Sequence, residues 1–311
     1  MPADATAIRA TGLSKRFGEL QALDGLELAV NGGEVFGFLG PNGSGKSTTI
    51  RLLLGFLRPS AGSAELLGLD VAHHRLAILR RTGYLPSHAA FDEVTTGERA
   101  LDDLAALGHS ESPRRAEICE RIHLDTTTLR RKVRDYSKGT RQKLAIVQAL
   151  QHNPDLIIMD EPTEGLDPLV QHSFYALLSV LREEGKTIFF SSHIISEVER
   201  VCDRVAIIRQ GRLVTVEHIS ALVARRRRHV EIRFDGDAPD LSELPGRWVR
   251  SATGNAVTGR LAGSVRPLLA RLAGLPVADL TIEPARLEDV FLEMYGDAPK
   301  GGQMDPPAGR P

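Results

Sequence analysis

The sequence predicts an α/β protein: a mostly parallel β-sheet with antiparallel strands in the N-terminal part, an inserted helical subdomain and a small C-terminal α+β domain. Short, continuously apolar runs such as residues 156–159 are typical of strands buried on both faces of a sheet. These runs alternate along the chain with helical patterns, which indicates parallel strands joined by crossover helices. From about residue 88 to 150 strand signals give way to charged helical patterns, as expected for a helical insertion.

The elements follow from apolar periodicity, turn residues and caps. The pattern predicts strands at residues 8–11, 26–30, 35–39, 83–86, 156–159, 187–190, 205–208, 213–216, 229–234 and 277–282. It predicts helices at residues 74–81, 265–272 and 286–295, and others beginning after residues 48, 95, 112, 142 and 167. The helix after residue 95 is expected to open with a capping box formed by Thr95 and Glu98.

The length of 311 residues favours two domains. We expect a larger domain over residues 1–222, with its helical subdomain at about 88–150, and a small α+β domain over 223–296. Residues 297–311 are rich in Pro and Gly and are expected to form a disordered tail. Four consecutive arginines at 225–228 lie at the change between domains, and a basic run of this kind usually forms a solvated face or a linker.

The composition is that of an ordinary globular protein, with 42% hydrophobic and 25% charged residues. A net charge of −1 argues against nucleic-acid binding through bulk electrostatics. No apolar run approaches the roughly 18 residues that span a bilayer, and residues 1–11 lack a signal-peptide pattern. Cys119 and Cys202 have no metal-ligand spacing and are expected to be reduced, packed thiols. We therefore expect a cytoplasmic protein whose membrane role, if it has one, depends on a partner.

A glycine-rich segment between a predicted strand and a predicted helix has the pattern of a phosphate-binding loop, G-x-x-x-x-G-K-[ST]. Its glycines allow backbone amides to approach phosphate oxygens, and the following helix N-terminus adds a partial positive charge. Lys46 can reach the terminal phosphates of a nucleoside triphosphate, and the Ser47 hydroxyl can ligate Mg²⁺. The residues predicted to bind nucleotide here are Gly40, Pro41, Asn42, Gly43, Ser44, Gly45, Lys46, Ser47 and Thr48.

Two carboxylates end the buried strand at residues 156–159. Because the carboxyl ends of parallel strands border the ligand crevice, Asp160 can hold Mg²⁺ and Glu161 can polarise an attacking water. His193 follows the strand at 187–190, where a neutral imidazole could hydrogen-bond a γ-phosphate. A histidine at a strand end is, however, more often structural.

Two further segments allow both a structural and a ligand-binding interpretation. Ser137 and Gly139 precede a predicted helix, where they can bind an anion or only cap the helix. Phe17, beside Gly18, can pack in the core or stack on a nucleotide base.

The order and spacing of these segments over about residues 7–217 resemble the ATP-binding subunit of an ABC transporter, which has a P-loop NTPase fold. The resemblance implies that residues 40–48 are the Walker A loop and that Asp160 ends the Walker B strand. It also implies that Glu161 is the catalytic carboxylate, that His193 is the switch histidine and that Phe17 stacks on adenine.

The resemblance extends to elements that act across a dimer. Residues 164–167 match the D-loop, and residues 137–142 take the place of the LSGGQ signature, whose Ser and Gly contact ATP bound to the opposing subunit; here these are Ser137 and Gly139. Lys138 stands where glycine is usual, and Ser87 stands where the family usually has a glutamine that reaches the metal site.

The resemblance implies a Mg²⁺-dependent ATPase that works as a homodimer or pseudo-dimer and powers a separate integral-membrane permease, with ATP and Mg²⁺ as its ligands and no nucleic-acid partner. The permease would dock around residues 87–98, on the cytoplasmic face of the membrane. Residues 287–292 are similar to the extension of bacterial multidrug and antibiotic-resistance exporters, which implies export of a drug-like or other small hydrophobic substrate.

Two alternatives remain. A soluble ABC-fold regulatory or protective ATPase needs no permease, but such proteins usually carry two ATPase cores, and this chain has one phosphate loop. A P-loop kinase would need a second substrate as acceptor, whereas the carboxylate pair and His193 favour water.

Overall fold

The computed structural model describes residues 6–108, 111–224, 227–241, 247–262 and 264–283. The described residues divide into two compact units, separated between Ile219 and Ser220. The predicted helix at 286–295 and the predicted tail at 297–311 lie outside the described residues. No helix in the described part of the chain is long and apolar enough to cross a membrane.

In chain order, the strands of the described residues are β1 (Thr6–Phe17), β2 (Leu20–Asn31), β3 (Val35–Leu39), β4 (Ala61–Leu66), β5 (Leu69–Asp70), β6 (Thr82–Leu85), β7 (Leu156–Asp160), β8 (Thr187–Ser192), β9 (Arg204–Arg209), β10 (Arg212–His218), β11 (Arg227–Phe234), β12 (Arg247–Arg250), β13 (Ala256–Ala262) and β14 (Val277–Glu283). The helices are α1 (Lys46–Leu53), α2 (Val71–Arg80), α3 (Gly97–Leu107), α4 (Arg115–Arg121), α5 (Thr126–Leu129), α6 (Lys138–Leu150), α7 (Pro168–Glu183), α8 (Ile195–Val201), α9 (Ile219–Ala224) and α10 (Arg266–Leu272), with a 3₁₀ helix at Val133–Asp135.

The central sheet of the larger unit has the strand order β10-β9-β3-β8-β7-β6. Its strands β9, β3, β8, β7 and β6 are parallel, and β10 is antiparallel at one edge. Every residue of β3 and β7 is buried, as their continuous apolar sequences predict. The ring of Phe36 on β3 stacks on that of Phe189 on β8, with centroids 6.0 Å apart. The predicted parallel core is confirmed.

A second, antiparallel sheet of order β2-β1-β4-β5 confirms the antiparallel strands expected in the N-terminal part. Its first two strands are much longer than the segments predicted at 8–11 and 26–30. Register shifts between β1 and β2, as at Ala10 to Leu13, interrupt the apolar alternation. Because a bulge breaks the period of two, only the regular part of each strand was visible in the sequence.

Helices α3 to α6 and the 3₁₀ helix make up most of residues 97–150, within the region of about 88–150 predicted to be helical. The predicted capping box is wrong by one residue. The N-cap of α3 is Thr96, whose hydroxyl accepts a hydrogen bond from Arg99 N at 3.2 Å. The Thr95 hydroxyl instead donates to Asp92 O at 3.0 Å, which uses it in the preceding turn.

The smaller unit contains an antiparallel sheet of order β12-β13-β11-β14, with Leu268 and Leu272 of α10 in its core. Strands β12 and β13 were not predicted. The sequence of β13 is interrupted by Gly259, where a Cβ atom would lie 2.3 Å from the Trp248 ring, so the glycine makes room for a cross-strand aromatic residue. Strand β11 begins at Arg227, so the last two of the four arginines belong to a strand and not to a linker.

Candidate functional site

The sheet order brings the predicted functional segments to one edge of the sheet. Strands β3, β8 and β7 are adjacent and parallel, with Leu39 paired to Ser192 and Asp160 paired to Ser191. Gly40 N donates a hydrogen bond to Ser192 O at 3.3 Å, directly before His193. The phosphate-binding loop, the two carboxylates and the histidine therefore meet at the carboxyl ends of three neighbouring strands, where parallel sheets bind ligands.

The loop between β3 and α1 needs glycine at two positions for different reasons. Gly45, the N-cap of α1, has φ +108°, which favours glycine. A Cβ atom at Gly40 would lie 2.5 Å from Ile208 O, so the loop packs against β9 only because this side chain is missing. Ser44 is buried behind the loop, and its carbonyl accepts a hydrogen bond from Gly211 N at 2.9 Å. The backbone path of the loop is thus fixed from both sides.

An open cleft of about 750 Å³ lies over this loop. The predicted site residues that line it are Phe17, Pro41, Asn42, Gly43, Gly45, Lys46, Ser47, Thr48 and Glu161. Gly40 and Ser44 lie behind the loop surface, and Asp160 is buried beneath the cleft floor at 3% exposure. The volume fits a ligand of nucleotide size.

Lys46 and Glu161 line the cleft, and His193, which does not line it, contacts Glu161. The ammonium nitrogen of Lys46 donates hydrogen bonds to Gly40 O at 2.6 Å and Pro41 O at 3.3 Å. It also lies 3.2 Å from Glu161 Oε1, and Glu161 Oε2 lies 2.8 Å from His193 Nδ1. Glu161 has φ +51°, an uncommon value for a residue with a side chain, and strain of this kind is typical of functional positions.

Asp160 and Ser47 carry oxygen donors of the type that Mg²⁺ prefers. The Asp160 carboxylate accepts a hydrogen bond from the Ser191 hydroxyl at 2.6 Å, which fixes its orientation. Among the described residues no group of three or more His, Cys, Asp and Glu side chains could hold a metal by itself. Mg²⁺ commonly binds through one or two protein oxygens together with phosphate oxygens and water, and this pair fits that mode.

Ser137 and Gly139 do not line the cleft of their own chain. The Ser137 hydroxyl caps α6 by accepting a hydrogen bond from Thr140 N at 3.1 Å. Gly139 packs closely against the loop before α7, since a Cβ atom there would lie 2.9 Å from Gly165 O. The capping interpretation of Ser137 therefore holds within one subunit, and its ligand-binding interpretation stays a prediction.

The unusual Lys138 connects the signature segment to the D-loop. Its Nζ lies 2.6 Å from Oε1 of Glu164, and its aliphatic part packs over Gly165. The hydrogen bond from Lys138 lowers the pKa of Glu164. Because Glu164 also lines the cleft, this ion pair joins the start of α6 to the cleft rim.

Phe17 ends β1 at the mouth of the cleft and is 45% exposed. The Lys15 ammonium lies 5.1 Å from the centroid of its ring. This exposure excludes the core interpretation of Phe17 and leaves its ring accessible to a base.

Several cleft residues were missed by the sequence analysis. The turn at Gln210 and Gly211 was recognised only as a turn, and Gln21 and Ala22 were not considered. A Cβ atom at Gly211 would lie 2.8 Å from Ala22 O, so the two segments meet side by side at the cleft wall. Local patterns contain no signal for this contact between distant parts of the chain.

The glycine-rich loop between β3 and α1, with carboxylates and a histidine at the adjacent strand ends, defines a P-loop NTPase. The family model described as "ABC transporter" matches residues 23–164. The chain is 36% identical to the daunorubicin resistance ATP-binding protein DrrA3 of Streptomyces coeruleorubidus, over 94% of this chain and 96% of that protein. It is 37% identical to the bacitracin transport ATP-binding protein BcrA of Bacillus licheniformis, over 74% of this chain and 75% of that protein.

Solved structures agree with these relatives. The structure of an ATP binding subunit of an ABC transporter is similar with a TM-score of 0.65 and 28% identity, over 70% of this chain and 92% of that chain. The chain belongs to the ABC transporter family as an ATP-binding protein. The predicted family and fold are confirmed, and the protein is an ABC-type ATPase.

Proposed function

We propose that this protein hydrolyses Mg-ATP at composite sites of a head-to-tail dimer and thereby powers a separate permease that exports a drug-like or other small hydrophobic substrate. The observation that carries the proposal is the contact chain in which Lys46 and Glu161, both lining a nucleotide-sized cleft, meet each other and Glu161 meets His193. It combines a phosphate-binding cation, a base and a γ-phosphate sensor at one place.

In the proposed reaction, water attacks the γ-phosphorus of ATP, the bond to the β,γ-bridging oxygen breaks, and ADP and phosphate leave. Glu161 orients the water and accepts its proton. His193 contacts the Glu161 carboxylate through Nδ1 and is proposed to hydrogen-bond the γ-phosphate. Lys46 and the loop amides stabilise the charge on the phosphoryl oxygens. Ser47 and Asp160 would hold Mg²⁺, which supplies further neutralisation of phosphate charge.

The second half of each composite site is proposed to come from the partner subunit. Ser137 and Gly139 lie outside the cleft of their own chain, on the first turn of α6, where helix amides favour an anion. A bacterial ABC transporter cassette solved as a dimer is similar in fold, with a TM-score of 0.62 and 24% identity over 68% of this chain and 98% of that chain. We propose the same mode of assembly here, as a homodimer or with a related subunit.

The export role is proposed from the relatives, which are named for daunorubicin resistance and bacitracin transport. A third, named for Nod factor export in Burkholderia orbicola, is 33% identical over 91% of this chain and 95% of that protein. These names favour a transport subunit at the cytoplasmic face of the membrane over a soluble regulatory ATPase. Residues 87–98 are the proposed docking segment, with Val94 65% exposed beside exposed Asp92 and Glu93.

Complementation between two inactive variants tests the composite site. Lys46→Ala removes the cation facing the phosphates and should abolish hydrolysis. Ser137→Arg places bulk and charge where the opposing phosphate would lie, so nucleotide should bind to one subunit without hydrolysis. A heterodimer of the two variants should regain one working site. The measurement is steady-state phosphate release by each variant and by mixtures shown to contain heterodimers.

Ser179→Arg, on the exposed side of α7, is the matched control for the introduced arginine and should hydrolyse ATP like wild type. Turnover near wild type in Lys46→Ala would contradict the site assignment. Failure of verified heterodimers to recover activity would contradict catalysis shared between subunits.

A further inference from the structure

A buried glutamate that takes no part in the proposed chemistry lies behind Glu161 and His193. Glu197, on α8, is 6% exposed and accepts hydrogen bonds on both carboxylate oxygens. Oε1 accepts from the Thr163 hydroxyl at 2.5 Å, and Oε2 accepts from the Ser192 hydroxyl at 2.7 Å. Burying a carboxylate is costly unless it is hydrogen-bonded, and these two hydroxyl groups supply the hydrogen bonds for Glu197.

One partner of Glu197, Ser192, fixes the backbone on both sides of His193. The Ser192 hydroxyl donates to Glu197 and accepts a hydrogen bond from Ile194 N at 2.9 Å. Ser192 is fully buried, and its main chain is paired with Leu39 of β3. The residues before and after His193 are therefore tied to one carboxylate, which fixes the direction in which the imidazole leaves the strand.

The other partner of Glu197, Thr163, belongs to the segment that carries Glu161. Thr163 follows Glu161 and Pro162 directly and is 4% exposed. Its hydroxyl bond to Glu197 holds the start of the turn that leads into the D-loop at residues 164–167. One carboxylate thus joins the segment of Glu161 to the segment of His193, whose side chains meet at 2.8 Å.

The helix that carries Glu197 is firmly attached to the sheet. Its next residue, Val198, is fully buried against β3 at Gly37, where a Cβ atom would lie 2.7 Å from Val198 Cγ1. On the other side, the Arg200 guanidinium of α8 lies 4.8 Å from the centroid of the Tyr175 ring of α7, and burial, with the charge of Glu197, raises the pKa of that phenol. The helix that carries the carboxylate is therefore held from β3 and from α7.

We propose that Glu197 is a positioning residue for hydrolysis, which sets the approach of His193 to Glu161 by tying together the two segments that carry them. This inference rests on the proposed function, in which Glu161 and His193 act on ATP. It predicts that a change at Glu197 slows the chemical step and leaves nucleotide affinity unchanged. The reason is that the Glu197 carboxylate is hydrogen-bonded to Thr163 and Ser192, which do not belong to the phosphate-binding loop.

Glu197→Gln is the direct test, because glutamine keeps the size of the side chain but can accept only one of the two hydroxyl bonds. We expect the single-turnover hydrolysis rate to fall about tenfold and the dissociation constant for ATP to change by less than about twofold. The matched control is Glu34→Gln. Glu34 is also a largely buried carboxylate with two partners, Asn31 N at 2.7 Å and Arg204 at 3.0 Å. It lies just before the first residue of β3, at the end of the strand away from the phosphate-binding loop. The control should lower the melting temperature and leave the rate unchanged.

A double-mutant cycle separates positioning from general stability. If Glu197 acts through His193, then Glu197→Gln should change the residual rate of His193→Ala by less than about twofold, whereas a purely structural loss would reduce the rate by the same factor in both backgrounds. Thr163→Val, which removes one hydroxyl without changing shape, should reproduce part of the loss and serves if Glu197→Gln does not fold.

The outcomes are distinguishable from failure of the proposed function. Wild-type turnover in Glu161→Gln, measured in parallel, would overturn the catalytic site itself. An inactive Glu161→Gln together with wild-type rates in both Glu197→Gln and Thr163→Val would overturn only the role of Glu197. Equal rate losses in Glu197→Gln and Glu34→Gln, or a tenfold loss that persists in His193→Ala, would overturn it as well.

Discussion

The Lys46 ammonium lies 3.2 Å from Glu161 Oε1, so the cation of the phosphate-binding loop and the proposed catalytic base form an ion pair with each other. Both groups are largely buried, and Glu161 Oε1 is buried without a hydrogen bond of good geometry. A γ-phosphate entering the cleft would compete with Glu161 for the positive charge of Lys46. Binding of the triphosphate would then release the carboxylate toward the attacking water.

Glu161→Gln should therefore separate binding from hydrolysis. The substitution removes the base and the competing negative charge while keeping size and packing. Loss of general-base assistance typically lowers the rate by about 10²–10⁴, which corresponds to roughly 3–5 kcal/mol of barrier. ATP affinity should be equal to or higher than that of wild type, and size-exclusion chromatography with Mg-ATP should show a trapped dimer.

The double variant Lys46→Ala/Glu161→Gln is the control for trapping, since it lacks the cation that holds the phosphates and should elute as a monomer. A Glu161→Gln variant that remains monomeric at saturating Mg-ATP would contradict the prediction.

The proposed docking segment can be tested at Val94, whose exposed side chain makes a charge easy to accommodate. Val94→Asp, produced in cells with the cognate permease, should leave soluble ATPase activity intact and release the protein from the membrane fraction. Phe91→Asp should have the same effect at a half-buried position of the same segment.

Leu76→Asp on α2 provides the matched control, because it introduces the same charge at another exposed apolar residue, 74% accessible. It should co-sediment with membranes like wild type. Co-sedimentation of Val94→Asp at the wild-type level would place the docking surface elsewhere or argue against a permease partner.

The two cysteines should be inert in the folded protein. Cys119 and Cys202 are both buried free thiols, and burial raises the pKa of each. A higher pKa leaves less of the reactive thiolate at pH 8, and burial also blocks the reagent. We expect a chromogenic disulfide reagent to label the native protein slowly and both thiols to react at once in denaturant.

Cys119→Ser isolates the contribution of Cys202, which is packed near Gly37 of β3 and should be the slower of the two. Immediate reaction of both thiols under native conditions would show that one of these regions opens readily.

The parts of this structure that were predictable are those encoded by a local pattern. The phosphate-binding loop and the strands β3, β7 and β8 each have a continuous sequence signature. The exact cap was not predictable, because Thr95 and Thr96 carry the same hydroxyl and only the turn at Asp92 decides between them. Strand β13 was hidden by a glycine that accommodates Trp248 from the neighbouring strand.

The missed site residues share a different cause. Gly211 lines the cleft where it packs against Ala22. Glu197 is connected to Glu161 and His193 through its hydrogen bonds with Thr163 and Ser192. In the sequence, Glu197 is one of two glutamates in a segment, residues 195–201, for which no helix was predicted. Its importance depends on which hydroxyl groups the fold brings to it, and that is a property of tertiary packing.

The sheet order has a consequence for synthesis of the chain on the ribosome. Strand β3 lies between β8 and β9, and Gly33 N, just before it, bonds the Thr187 hydroxyl, 154 residues further along. The hairpin of β1 and β2 can form as soon as it emerges, whereas β3 and its loop have no neighbour on either side until the second half of the chain has been translated. A nascent or truncated chain that stops before β8 contains the whole phosphate-binding motif but lacks both sheet neighbours of β3 and the cleft residues Gln210 and Gly211. ATP is therefore expected to stabilise the larger unit only after translation has passed β8, β9 and the turn at Gln210 and Gly211.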